Sequence, residues 1–132
     1  MADVEQMFVP YRSEVYTNAI DADKPEGERR YINIAYDLTN ISKIILYCEI
    51  YANKGYSNNT TCFGVTSNPP TSYSDIKNGA VSQSKVTSSS LNTTIELDVT
   101  DLSGEYYIGV GAASSVKGYI TRTIVNGIEL VN

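Results

Sequence analysis

The sequence contains neither histidine nor tryptophan. Without histidine there is no Ser-His-Asp triad and no Cys-His nucleophile pair. His-ligated zinc and iron sites are excluded as well, and 2 cysteines are too few for a four-thiolate centre. The catalytic option left is a pair of carboxylates of the kind that hydrolyses glycosides. Positive charge is scarce: 10 Lys and Arg stand against 15 Asp and Glu, a net charge of −5. That balance disfavours nucleic acid and anionic membrane as partners. No apolar run approaches the roughly 20 residues that span a bilayer, and no basic-then-apolar leader opens the chain. The expectation is a small protein made in a cytosol. Its 132 residues suit a single domain, because single cores commonly run to about 100–150 residues.

What is abundant is tyrosine, 11 in all, and short apolar runs set among Ser, Thr and Asn. The runs alternate with a period of two, the signature of half-buried strands. In 31–38, Ile32, Ile34, Tyr36 and Leu38 share a face. In 44–51, Ile44, Leu46, Cys48 and Ile50 take one face and Ile45, Tyr47, Glu49 and Tyr51 the other. In 91–99, Leu91, Thr93, Ile95, Leu97 and Val99 alternate with Asn92, Thr94, Glu96 and Asp98. In 105–111, Tyr106, Ile108 and Val110 fall together. The expected core includes Ile34, Leu46, Ile95, Leu97, Val99, Ile108 and Val110. Nothing repeats at 3.6 residues beyond one short turn of helix near Ser74–Asn78.

Turn residues separate these runs: Asn53-Lys54-Gly55, Ser57-Asn58-Asn59, Asn68-Pro69-Pro70 and Asp101-Leu102-Ser103-Gly104. Asn126-Gly127, between Val125 and Ile128, carries the strongest hairpin signal, since Asn-Gly accepts a type I′ turn. The spacing predicts about eight or nine strands in an all-β, antiparallel two-sheet β-sandwich over residues 1–132, with jelly-roll topology. An immunoglobulin-like sandwich is the alternative, although its Cys…Trp…Cys signature is absent. Residues 1–10 read as a first strand or as an arm that docks on a neighbour.

Two stretches resemble a pattern found in bacteriophage virion proteins of the head-fibre, tail-fibre and baseplate type. They are Tyr36-Asp37-Leu38-Thr39-Asn40-Ile41-Ser42-Lys43-Ile44 and Leu97-Asp98-Val99-Thr100-Asp101-Leu102-Ser103-Gly104-Glu105-Tyr106-Tyr107-Ile108-Gly109-Val110, followed by Gly118-Tyr119-Ile120. The resemblance covers roughly residues 36–120, less the variable middle. It implies a jelly roll resembling carbohydrate-binding modules. The motif describes a fold and a turn, not a site.

Candidate binding residues are the outward or loop tyrosines: Tyr47, Tyr51, Tyr56, Tyr73 and Tyr107. Such rings stack on sugars or anchor protein interfaces; the plainer reading is that tyrosine suits strands. Gly109 and Gly111 share the outward face of Tyr107 and leave room for close approach, or mark a bend in the sheet. The acidic loop with Asp21, Asp23, Glu26 and Glu28 is a weak candidate for structural calcium, since Lys24, Arg29 and Arg30 neutralise much of it. Otherwise no cofactor or metal is expected. Asp98, Asp101, Glu105 and Glu49 are the carboxylates from which a hydrolytic pair would have to come, but a catalytic acid needs a cleft that raises its pKa. Sequons at Asn40, Asn58, Asn59 and Asn92 read as by-products of a polar surface.

Cys48 and Cys62 lie symmetrically about Gly55. If 44–51 and 60–66 pair as a hairpin, parity places the two sulfurs on opposite faces, because Cys62 falls with Thr60 and Gly64 and away from Phe63 and Val65. Free thiols are expected, with Cys62 on the polar side. The functional expectation is a non-enzymatic, surface-exposed bacteriophage virion protein. It would dock to capsid, fibre or tail components as an oligomer or multi-copy assembly. The alternative is a glycan-binding module for host attachment.

Overall fold

The computed structural model describes residues 6–18, 28–31, 35–52, 59–86, 91–114 and 120–132. The strands in chain order are β1 (Gln6–Asn18), β2 (Glu28–Tyr31), β3 (Tyr36–Asp37), β4 (Lys43–Ala52) and β5 (Asn59–Thr66). A short helix, α1 (Tyr73–Lys77), precedes β6 (Val81–Val86), β7 (Leu91–Asp98), β8 (Glu105–Ser114) and β9 (Ile120–Val131). One sheet runs β1-β9-β4-β7; the other runs β2-β8-β5-β6, with β3 also paired to β8. β1 pairs antiparallel with β9, β2 with β8, β4 with β7, and β5 with β6. That is one long hairpin, first strand with last and second with next to last, rolled so that successive rungs fall in opposite sheets. This is the expected jelly roll. Among the described residues, no helix is long and apolar enough to cross a membrane.

Period two gave the inward faces. Ile44, Leu46, Cys48 and Ile50 of β4, Ile95 and Leu97 of β7, then Val99, and Ile108 and Val110 of β8 are buried together with Leu38, Phe63, Val65, Val125, Ile128 and Leu130. Ile34 lies outside the described residues. Between the sheets the hydroxyls of Thr61 and Thr123 meet at 2.9 Å, so each buried polar group satisfies the other. In the 31–38 stretch, Tyr31 ends β2 and Tyr36–Asp37 form β3, both paired with β8, while 32–34 lie outside the described residues. The amino-terminal segment is a strand from Gln6 onward, paired along β9 at the edge of its sheet.

Two pairings depart from expectation. The 44–51 and 60–66 segments are not neighbours: β4 lies between β9 and β7, and β5 lies in the opposite sheet. Asn126-Gly127 is not a hairpin turn either, because β9 runs through it. On β4, Tyr47 faces Gly127 and Cys48 faces Val125, leaving Asn126 as an extra residue in a bulge. The register with β1 shifts at the same place. The bulge flips the parity of β9: Thr123 and Val125 point inward before it, and Ile128 and Leu130 after it.

The two stretches that carry the virion-protein resemblance meet at one end of the sandwich. Leu38 N donates to Gly104 O at 2.9 Å. Gly104 N donates to Thr39 Oγ1 at 3.1 Å. Val99 N donates to Ser42 O at 2.9 Å. Gly104, at φ +93°, occupies a conformation that a side chain would strain. These residues form the corner where β7 crosses to β8 in the other sheet.

Candidate functional site

The outer face of the β1-β9-β4-β7 sheet carries a hydrogen-bonded group of polar and aromatic side chains. Alternation along β4 sends Tyr47, Glu49 and Tyr51 outward, opposite the buried Leu46, Cys48 and Ile50. Tyr47 donates its hydroxyl to Glu129 Oε1 on β9. Glu129 is only 4% exposed although it faces away from the core, and this bond pushes the Tyr47 hydroxyl above its ordinary pKa of 10.0. Glu49 takes two donors, Tyr51 Oη at 2.7 Å on Oε1 and Asn126 Nδ2 at 2.8 Å on Oε2. The Arg122 guanidinium lies 5.9 Å from the Tyr51 ring centre, at the outer limit of a cation–π contact. An open groove runs beside this group, lined by Tyr47, Glu49, Asn92, Thr93, Thr94 and Asn126 together with the edge of Cys48.

The five candidate tyrosines are not brought together. Tyr47 and Tyr51 share the face just described, four positions apart on one strand, which is roughly 13 Å. Tyr107 is half-buried on β8, directly opposite Thr66 in the other sheet. Tyr73 is not a loop residue; it begins α1. Tyr56 lies outside the described residues. Sequence reading missed Glu129, Asn126 and Arg122. Glu129 and Arg122 carry no motif, Asn126 reads as a turn residue, and Tyr47 is 82 positions from Glu129, so nothing local couples them.

Gly109 and Gly111 do leave room for close approach, but the chain itself fills it. α1 lies across β5 and β8. Its cap is local chemistry: Ser72 Oγ accepts from Asp75 N at 3.1 Å, and Asp75 Oδ2 takes Thr71 N at 2.8 Å and Thr71 Oγ1 at 2.7 Å. A methyl group at Gly109 would lie 2.9 Å from Ile76 Cγ1, and one at Gly111 would lie 2.7 Å from Tyr73 Cδ2. Cys62, opposite Gly111, is fully buried under this lid and not on a polar surface. Burial pushes its thiol from 9.0 to about 11, although Tyr73 hydrogen-bonds to it and opposes that rise. Burial likewise raises the Tyr73 hydroxyl. Both cysteines are free thiols. They are kept apart by lying in different sheets: Cys48 faces the core, and Cys62 lies on the far side of the β5 sheet, beneath α1.

Of the candidate carboxylates, Asp98 and Glu49 act as structural acceptors. Asp98 Oδ1 takes Thr100 Oγ1 at 2.6 Å and Thr100 N at 3.0 Å. Those bonds hold its pKa below 3.8, the opposite of what a general acid requires. Asp37 is held down in the same way by Thr39. Of the calcium-loop candidates, Asp21, Asp23 and Glu26 lie outside the described residues, and Glu28 opens β2 opposite Ala112.

No family model matches the chain, and no curated protein does. Among solved structures it is similar to one described as showing the promiscuous specificity of carbohydrate-binding modules of the β-sandwich superfamily (10% identity, TM-score 0.48), over 93% of this chain and 56% of that one. It thus spans little more than half the length of that structure. It is also similar to the decameric BFDV capsid protein, at 8% identity over 95% of this chain and 98% of that one, TM-score 0.41. Turnip yellow mosaic virus gives 12% identity over 96% and 93%, TM-score 0.41.

Proposed function

We propose that the protein is a non-enzymatic bacteriophage virion structural protein, exposed on the particle, with residues 1–132 acting as one β-sandwich domain. It docks to capsid, fibre or tail components through the outer face of the β1-β9-β4-β7 sheet, in many copies per particle. The observation that carries this reading is the pinning of Tyr47 by Glu129 and of Tyr51 by Glu49. A tyrosine already held in place loses little side-chain freedom when a partner covers it, and that loss is a main cost of association. Tyrosine is also, with tryptophan and arginine, among the residue types enriched at interface hot spots. The resemblance over 36–44 and 97–110 supplies the virion context, and repetition over a particle turns weak single contacts into avidity. Localisation follows: synthesis in the host bacterial cytoplasm, then incorporation into the virion. The test is particle incorporation of Tyr47→Ala/Tyr51→Ala protein that retains its β-sheet CD spectrum. Loss of incorporation is expected; unchanged incorporation overturns the docking face.

A second reading, a glycan-binding module for host attachment, draws on the groove beside the same tyrosines. There Glu49, Asn92 and Asn126 line the groove together with Tyr47, residue types that suit a sugar's hydroxyls and CH face. Binding on a glycan array that is lost in Tyr47→Ala would favour it over the first.

A further inference from the structure

A second concavity lies on the other sheet, where the 67–70 loop leaves β5 and the carboxy-terminal end of α1 returns toward β6. Its volume is about 350 Å³, at the small end of the range of roughly 300–1,000 Å³ for small-molecule sites. Thr66, Asn68, Pro70, Asp75 and Asn78 contribute to its wall. Thr66 is 7% exposed, and its hydroxyl has no hydrogen-bond partner. Valine would have the same shape and suit the strand better, and native proteins rarely leave a buried hydroxyl unsatisfied. Asp75 remains ionised, because Thr71 and Ser72 hydrogen bonds hold its carboxyl below 3.8, and both Thr71 bonds fall on Oδ2. Asn68 and Asn78 add carboxamides that both donate and accept. Among the described residues no lysine or arginine lines the pocket, which argues against a phosphate or other anion. One carboxylate is too few for a hard divalent cation.

We propose that this pocket binds a single neutral saccharide unit, whose hydroxyls pair with Thr66 Oγ1, the Asp75 carboxylate and the two asparagine amides while Pro70 supports its apolar face. The site lies on the opposite sheet from the tyrosine face, so failure of virion docking there leaves this proposal standing, and the reverse.

The experiment is titration of the ¹⁵N-labelled protein with glucose, galactose and N-acetylglucosamine at millimolar concentrations, followed by amide shifts. Saturable shifts at Asn68, Asn78 and Gly79 are expected with at least one sugar. Thr66→Val and Asp75→Asn should each weaken binding about tenfold, the loss of roughly one hydrogen bond. Without sugar, Thr66→Val should melt at or above the parent temperature, because the hydroxyl it removes is unsatisfied. No saturable shift with any of the three sugars overturns the proposal, as do shifts that both variants leave unchanged. A Thr66→Val protein that melts lower shows that an ordered water already satisfies the hydroxyl, and overturns it too.

Discussion

Gly64 stands directly opposite Gly109 across the β5–β8 ladder, and Ile76 of α1 rests over both. A methyl group at Gly64 would lie 2.3 Å from the Ile76 carbonyl oxygen, whereas one at Gly109 would meet the Ile76 side chain at 2.9 Å. Backbone yields less readily than a side-chain branch. Gly64→Ala should therefore cost more than Gly109→Ala, within the range of about 1–3 kcal/mol for overpacking. Ile76→Val should recover part of the Gly109→Ala loss and none of the Gly64→Ala loss. Urea denaturation of the four variants measures this.

Tyr47→Phe removes the hydroxyl that partners the buried Glu129 carboxylate. The expected result is a lower unfolding midpoint, partly restored by adding Glu129→Gln, because an unpaired buried amide costs less than an unpaired buried charge. The pH dependence has a definite sign. Tyr47 binds its proton more tightly folded than unfolded, so its contribution is complete below pH 10 and fades as pH rises past that value. Thermal melts of the parent and Tyr47→Phe should converge at high pH.

Denatured, unreduced protein should show two reactive thiols, Cys48 and Cys62. In the native protein at neutral pH both should resist a thiol reagent, since each is buried and only thiolate reacts. The Cys62 pKa, raised from 9.0 to about 11 by burial, makes the folded state the better proton binder. Stability should then fall as pH climbs from 9 to 11. Cys62→Ala should flatten that part of the curve of melting temperature against pH.

Asn126 gives a test of the bulge. Its substitution by Ala removes one exposed hydrogen bond to Glu49 and should cost no more than about 0.5–1.5 kcal/mol. Deleting Asn126 removes the extra residue itself, so Val125 and Ile128 fall into unbroken alternation and Gly127 stays opposite Tyr47 on β4. Ile128 and Leu130 keep facing the core, and the mismatch passes to the edge strand β1. The deletion should therefore retain a cooperative unfolding transition seen by CD, as Asn126→Ala does; loss of that transition would show that β9 does not carry its register through the bulge.

The alternation of Ile44 to Ile50 and of Leu91 to Val99 was enough to read strands and their buried faces. Side-chain parity belongs to one strand and needs no knowledge of its neighbours. A short turn of helix near Ser74–Asn78 was legible too, because it rests on local bonds such as the Ser72–Asp75 cap, between residues three apart. The identity of each strand's partner was not legible. Asn126-Gly127 breaks the alternation of β9 just as a hairpin turn would, and only continued pairing with β1 and β4 makes it a bulge. Cys62 reads as outward from Phe63 and Val65, and it is. That the outward side is dry follows from a helix a dozen residues later lying on Gly64, Gly109 and Gly111. The Tyr47–Glu129 pair joins strands far apart in the chain and adjacent in the sheet. Local sequence set which face each residue took; the rolled topology decided what lay against that face, because contacts between layers form only once distant strands have paired.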